Sequence, residues 1–239
     1  GDYHVLIRGD PHSLGDREPR GFLQALCDPG QARPTIRDGE SGRRELAQWI
    51  TSEEVALAPR VYVNRVWARL FGRGIVRTVD NFGRRGAEPT HPELLDYLAA
   101  TFVDSGWSTK ALIREMARSR AYQLSAQESA EARDADPNND LFWRMPRRRL
   151  PAEAIRDAIL SASGTLELEE DFGTLGMGDL ETATVRSVYV PVYREEGNNA
   201  LFEVFDFADP SQSMGSRGVS AIPPQALYLM NSPFVMTQA

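Results

Sequence analysis

Several groups of residues combine types and spacings that do chemistry. Asp10, His12 and Asp16 form an Asp-x-His-x-x-x-Asp run that offers oxygen and nitrogen donors to a metal ion. The same residues also suit an Asx-type turn, with Arg8 pinning Asp10 in the loop. His91 stands where a helix begins, among backbone N–H groups and the positive end of the helix dipole. That setting favours an anion, or acid–base work by a neutral imidazole, or simply support of the helix start. Asp10, His12 and His91 are therefore the candidate catalytic residues. Arg73, Arg77, Arg84 and Arg85 alternate with Gly72, Gly74, Gly83 and Gly86. Such a loop could bind a sulfated or carboxylated ligand or an acidic surface, or close salt bridges within the domain. Asn64 and Arg65 lie mid-helix. They could touch a ligand, or they could tie the following loop, with Asp80 or Asp96 as the arginine's partner. Tyr189, Tyr193, Arg194, Phe202 and Phe205 neighbour Glu195, Glu196, Asp206 and Asp209 in sequence. Aromatics beside carboxylates suit a sugar, and paired carboxylates can hydrolyse one, although core packing accounts for the aromatics equally.

Other chemistries lack their residues. There is no GxxxxGK[ST] phosphate loop, Gly-x-Ser-x-Gly elbow or HExxH. Cys27 is the only cysteine, so an intrachain disulfide, a multi-cysteine zinc site and a CxxCH heme attachment are all excluded. No recognised catalytic motif remains.

The elements that must position these groups are mostly helices. Arg43–Ile50 carries Leu46, Ala47, Trp49 and Ile50. Ala58–Phe71 repeats Val63, Val66, Trp67 and Leu70 at i, i+3, i+4 and i+7, with Pro59 in its first turn and Gly72 at its end. Thr90-His91-Pro92-Glu93 starts a third helix, with Thr90 as the expected cap and Leu94, Leu95, Leu98 and Phe102 inward. Ser108 caps a fourth, running to about Tyr122, and the short Asp104–Trp107 link predicts a helical hairpin. Residues 125–140 are polar and read as a solvated loop. Helices are expected again at 152–162, at Ala200–Phe205, from Pro223 to Met230 and from Ser232 onward. Tyr3–Ile7 reads as a strand, residues 10–40 as an extended loop, and residues 165–184 as acidic and irregular. Val185–Tyr193 alternates like an edge strand with Pro191 in it. A lone strand leaves its polar groups unpaired, so the N-terminal strand (about 3–8) is expected to pair with the one near 185–193. The fold class is mainly α: one multi-helix domain over 1–239 with that small β element.

Composition narrows the partners. The 27 basic and 34 acidic residues leave a formal charge of −7. Residues 1–150 hold 23 basic and 21 acidic residues, and residues 151–239 hold 4 and 13. An acidic second part argues against nucleic acid. No run approaches the ~18 apolar residues of a membrane span, and no signal peptide opens the chain.

The blocks Val63-Asn64-Arg65-Val66-Trp67, Phe71-Gly72-Arg73-Gly74-Ile75-Val76, Asp80-Asn81-Phe82-Gly83 and Thr90-His91-Pro92-Glu93-Leu94-Leu95-Asp96 carry a likeness that spans nearly the whole chain: it resembles the planctomycete-type cytochrome-associated C-terminal domain of unknown function. The likeness continues in Arg149-Leu150-Pro151-Ala152-Glu153-Ala154-Ile155-Arg156-Asp157, in Arg186-Ser187-Val188-Tyr189 and in Pro224-Gln225-Ala226-Leu227-Tyr228-Leu229-Met230-Asn231-Ser232. The resemblance implies a C-terminal fragment of a longer exported, periplasmic protein with a cytochrome-c-like domain upstream. Heme would sit on that upstream domain and no cofactor in this fragment. The expected partners are other domains of the same parent and, in a carbohydrate-related setting, polysaccharide. The expected role is a non-catalytic interaction or scaffold module; the alternative is an enzyme or binding domain acting on polysaccharide, metal-dependent in one version. The resemblance supplies no catalytic residues.

Overall fold

The computed structural model describes residues 2–27, 33–37, 39–168, 181–192, 199–212 and 214–239. The architecture is mainly helical, with one two-stranded antiparallel sheet among the described residues. The chain divides into two compact units, Gly1–Met145 and Pro146–Ala239.

The first unit opens with a hairpin of β1 (Tyr3–Leu6) and β2 (Leu14–Glu18). Tyr3 lies opposite Glu18, His4 opposite Arg17 and Leu6 opposite Leu14, with an irregularity between His4 and Leu6. This corrects the expected pairing of the N-terminal strand with residues 185–193. A turn with Arg8 and Gly9 at positive φ sends the chain straight back on itself, so β1 finds its hydrogen-bond partners locally. The helices follow as α1 (Arg43–Ile50), α2 (Leu57–Phe71), α3 (Pro92–Asp104), α4 (Thr109–Arg118) and α5 (Ala130–Ala135). Of the stripe predicted on α2, Val63 and Trp67 are buried and Val66 and Leu70 partly buried; Val63 and Trp67, with Phe71, pack with Leu95, Leu98 and Phe102 of α3 and Leu112 and Met116 of α4. Gly72 ends α2 in the left-handed region, as expected of a C-terminal glycine. The Ser108 hydroxyl accepts from Ala111 N at 3.3 Å and caps α4. Residues 125–140 are more structured than a solvated loop, since they contain α5 and the turn described below.

The second unit contains α6 (Ala152–Ser163), α7 (Ala200–Val204), α8 (Pro223–Asn231) and α9 (Pro233–Gln238). Its core joins Ala152 and Leu160 of α6 to Leu201, Phe202, Phe205 and Phe234. The predicted strand at 185–193 is a single parallel bridge, Glu167 to Val185, followed by a 3-10 turn at Ser187–Tyr189; Tyr193 lies outside the described residues. Side chains of α6 replace the ladder. Arg156, 1% exposed, donates to Ala183 O at 2.5 Å, Val185 O at 2.8 Å and Ser187 Oγ at 3.4 Å. The Asp157 carboxylate accepts from Ser187 N at 2.7 Å. Burial pushes the Arg156 guanidinium below its usual range, opposed by the charges of Asp157 and Tyr228.

Candidate functional site

The best-constructed polar region of the first unit lies where the end of α2 meets the start of α3 and the loop after α5. It begins at Asn64. The apolar stripe of α2 carries this amide fully into the interior, where it must find partners. It finds both polar groups of one residue: Nδ2 donates to Val76 O at 3.0 Å, and Oδ1 accepts from Val76 N at 2.8 Å. The loop is drawn so close that a Cβ on Gly74 would overlap the Val76 carbonyl and stand 2.8 and 2.9 Å from the Asn64 amide atoms. Glycine is required there for close approach.

The loop that Asn64 holds delivers Arg73 and Arg77. Arg73 donates to Asn138 O at 2.5 Å and Asn139 O at 3.2 Å, and pairs with Asp140 at 3.0 Å. Arg77 donates to both oxygens of Asp140. The acceptor loop is itself tightly built. Asp136 takes the N–H groups of Leu141 at 2.8 Å and Asp140 at 2.9 Å. The Leu141 N–H above all holds its carboxyl below the usual carboxylate range; the Asp140 N–H and the charge of Arg73 add to this, against partial desolvation. Asn139, at φ 56, clamps Arg144 by donating to its carbonyl at 2.9 Å and accepting from its N–H at 3.2 Å. Phe142, at φ 53, is a bulky residue in a region that strains it. Its ring packs on Trp67 at 5.3 Å, Phe71 at 5.6 Å and His91 at 5.6 Å.

His91 is half-buried and is itself the N-cap residue of α3, though its side chain makes no capping bond. Thr90, expected to cap, instead donates N–H and hydroxyl to Ile75 O at 3.0 and 3.3 Å. Its hydroxyl also meets His91 Nδ1 at 3.0 Å. Among the described residues no carboxylate bonds to His91.

The remaining sequence candidates separate. Arg65 projects outward from α2, and Arg84 and Arg85 occupy the centre of the Gly83–Gly86 turn. All three are exposed and without a partner among the described residues. The Asp96 considered for Arg65 pairs with Arg60 at 2.6 Å. Asp10 accepts from His12 N at 2.9 Å, which is the Asx turn, and both are exposed, as is Asp16. Among the described residues no group of three or more His, Cys, Asp or Glu is placed to hold a metal ion. Phe202 and Phe205 are core residues. Asp206 accepts from Ser220 N at 2.7 Å, and Asp209 from Ser211 N at 2.8 Å. Tyr193, Arg194, Glu195 and Glu196 lie outside the described residues. Sequence reasoning missed Asp136, Asn139, Asp140 and Phe142. The signal was the run Asp136-Pro137-Asn138-Asn139-Asp140, whose residue types favour turns; Asp136 and Asn139 use their side chains to hold this one.

What the arrangement does chemically is fix loops: the guanidinium groups of Arg73 and Arg77 converge on one carboxylate, and the Asn64 amide bonds the N–H and the C=O of Val76. The class thus defined is a mainly helical module whose best-placed polar groups hold its own loops. The chain belongs to PSD1, described as a protein of unknown function (DUF1553), a family whose model matches residues 42–239. No curated protein matches the chain, and no solved structure does. No helix among the described residues is long and apolar enough to cross a membrane.

Proposed function

We propose that residues 1–239 act as one non-catalytic interaction module of an exported, cytochrome-associated protein of planctomycete type. Heme is carried by an upstream domain, and the module's partners are other domains of the same parent in the periplasm. The observation that carries this reading is the engagement of Asn64, Arg73 and Arg77 by Val76 and by the 138–140 segment. These groups hold the scaffold, while Arg65, Arg84 and Arg85 face outward with their donors available. The resemblance supports the cellular setting.

Calorimetric titration of the chain with the separately produced remainder of its parent tests this. Binding at micromolar strength or tighter is expected; an absence of both heat and co-migration overturns the reading. Polysaccharide is the competing substrate. Release of reducing ends from a polysaccharide panel, abolished by His91→Ala, would make the protein an enzyme. Retention on a dextran sulfate column, lost in an Arg84→Ala/Arg85→Ala variant, would make it a glycan-binding domain.

A further inference from the structure

The loop that follows α5 is closed on itself. The N–H of Asn139 donates to Asp136 O at 3.0 Å, those of Asp140 and Leu141 to the Asp136 carboxylate, and that of Arg144 to Asn139 Oδ1. The Trp143 indole N–H returns to Asp136 O at 2.9 Å. Each of these bonds runs within residues 136–144, so the segment is a compact Ω-type loop. Its links to the rest of its own unit are of a different kind. On the outer side Asp140 meets Arg73 and Arg77, whose side chains are 35% and 42% exposed, and Arg73 reaches the Asn138 and Asn139 carbonyls. Arg144 pairs with Glu128 at 3.3 Å. On the inner side one ring, that of Phe142, lies against Trp67, Phe71 and His91. Met145 N donates to Ser125 O at 3.0 Å and anchors the far end.

The closed position carries costs. Phe142 stands at φ 53, where a bulky side chain is strained. Nε1 of Trp67, a residue 4% exposed, and Nε of Arg144 are buried and find no acceptor among the described residues. A buried donor without an acceptor is unfavourable. Lifting the loop from α2 lets the Phe142 backbone relax and brings water to Arg144 and to the Trp67 ring. Opposing this are the contact of one ring and a set of partly exposed ion pairs, which salt screens.

We infer that residues 137–144 are a strap that swings off the α2–α3 junction as a body, hinged at Asp136 and Met145, when a competing anion takes Arg73 and Arg77 from Asp140. Closed, Asp140 is the chain's own occupant of the guanidinium pair, and Phe142 covers His91. Open, Arg73, Arg77 and His91 are all released to solvent. Such a two-state element has its closed and open forms close in free energy, because strain and orphaned donors offset the contacts that hold it. The strap does not depend on which partner the module has, so failure of the module reading leaves it standing.

The test measures the rate at which diethyl pyrocarbonate modifies His91 in the whole chain, read by mass spectrometry. The chain has three histidines, and exposed His4 and His12 on the hairpin serve as references. Raising NaCl from about 0.02 M to about 0.5 M shortens the screening length severalfold and is expected to speed His91 at least about threefold relative to His12. Asp140→Asn is expected to show the fast rate already at low salt and to lose the salt dependence. Arg77→Gln is expected to fall between, since Arg73 still holds Asp140. Hydrogen exchange of the same samples separates a swing from melting. The 139–142 amides bond within the strap and are expected to change less than about twofold, and the α2 and α3 amides less than the His91 rate. A salt-independent His91 rate in the unmodified sequence overturns the proposal, with or without a folded Asp140→Asn. Strap amides that accelerate with His91 overturn it in favour of a melting loop. Equal acceleration in α2 and α3 overturns it in favour of general loosening.

Discussion

The core around α2 and the core around α6 solve the same problem with different materials. Around α2 the interior is a continuous set of apolar side chains, and one polar residue, Asn64, holds one loop residue, Val76. Around α6 the apolar set is smaller, and Arg156 holds three alternate residues of an irregular segment, Ala183, Val185 and Ser187. Gln225 holds a second irregular stretch through Val204, Ser220 and Ile222. The difference teaches where backbone hydrogen bonds go when no ladder forms. Every buried N–H and C=O needs a partner, so a unit with more irregular backbone must bury more polar side chains.

The comparison breaks first at Arg156. Arg156→Ala is expected to remove the donors of Ala183 O and Val185 O and to leave a cavity beside Phe234, over whose ring the guanidinium stands at 5.7 Å. The expected loss is about 3–5 kcal/mol, the range for breaking a buried charged network by removing one member. Arg156→Lys is expected to recover little, because one ammonium cannot reach three acceptors in a fork. Urea denaturation with hydrogen exchange of residues 181–192 measures both. A loss under about 1 kcal/mol would mean that Arg156 does not organise that segment.

Asn64→Ala is expected to come next, at about 2–4 kcal/mol, since it leaves a buried N–H and a buried C=O of Val76 unsatisfied. Trp67, three residues along the same helix, reports the unfolding by fluorescence. Asn64→Asp is expected to be no milder, because a carboxylate accepts from Val76 N but repels Val76 O. A variant as stable as the parent chain would remove the parallel between Asn64 and Arg156.

How much of this was legible follows from the same contrast. The stripe of α2, the glycine at its end, the cap at Ser108 and the start of α6 all repeat at helical spacing, and local sequence displays them. Asn64 could be seen as buried because it interrupts an apolar face. Its partner could not, since nothing in sequence says which residue of the next loop meets it. The 185–193 strand was misread for a related reason. Alternating Val and Tyr signal a pleat, but Arg156 and Asp157, on a helix 29 and 30 residues away in the chain, take the polar groups a neighbouring strand would have taken. Thr90 also looked like a cap by type and spacing, yet Ile75, 15 residues earlier, claims its hydroxyl. The Arg/Gly loop looked uniform in sequence and divides in space, because the carboxylate that separates Arg73 and Arg77 from Arg84 and Arg85 lies more than 60 residues on, at Asp140.

Acid sharpens the contrast at the 136–145 loop. Asp136 has a folded-state pKa below the ordinary value, so its carboxylate contributes stability above the unfolded carboxyl pKa. That contribution is lost as pH falls through the lower, folded value. The midpoint of urea unfolding is therefore expected to decline between about pH 5 and pH 2, and the decline is expected to be shallower in Asp136→Asn. Parallel pH curves for the two proteins would show that the Leu141 and Asp140 N–H bonds do not select the ionised form.

The smallest effect separates the two pairs of arginines. Arg73 and Arg77 are partly exposed, so even a shared carboxylate gives them a modest, screened contribution. Arg73→Ala/Arg77→Ala is expected to cost about 1–2 kcal/mol, more than a free surface pair because Arg73 also holds two carbonyls of the strained turn. Arg84→Ala/Arg85→Ala is expected to change stability by less than about 0.5 kcal/mol, as befits exposed side chains without partners. The turn that carries them is rigid for other reasons. Thr78 Oγ accepts from Ala87 N at 2.9 Å and donates to Asn81 O at 2.6 Å, and a Cβ on Gly86 would overlap Asn81 O. Gly86→Ala is therefore expected to destabilise although it removes no contact, while the two arginines that the glycine allows to stand outward are silent in the same melt. Equal melting temperatures for the two arginine double variants would mean that the Asp140 pairing holds nothing together. A large loss on removing Arg84 and Arg85 would mean that this turn is part of the fold and does not display free charge.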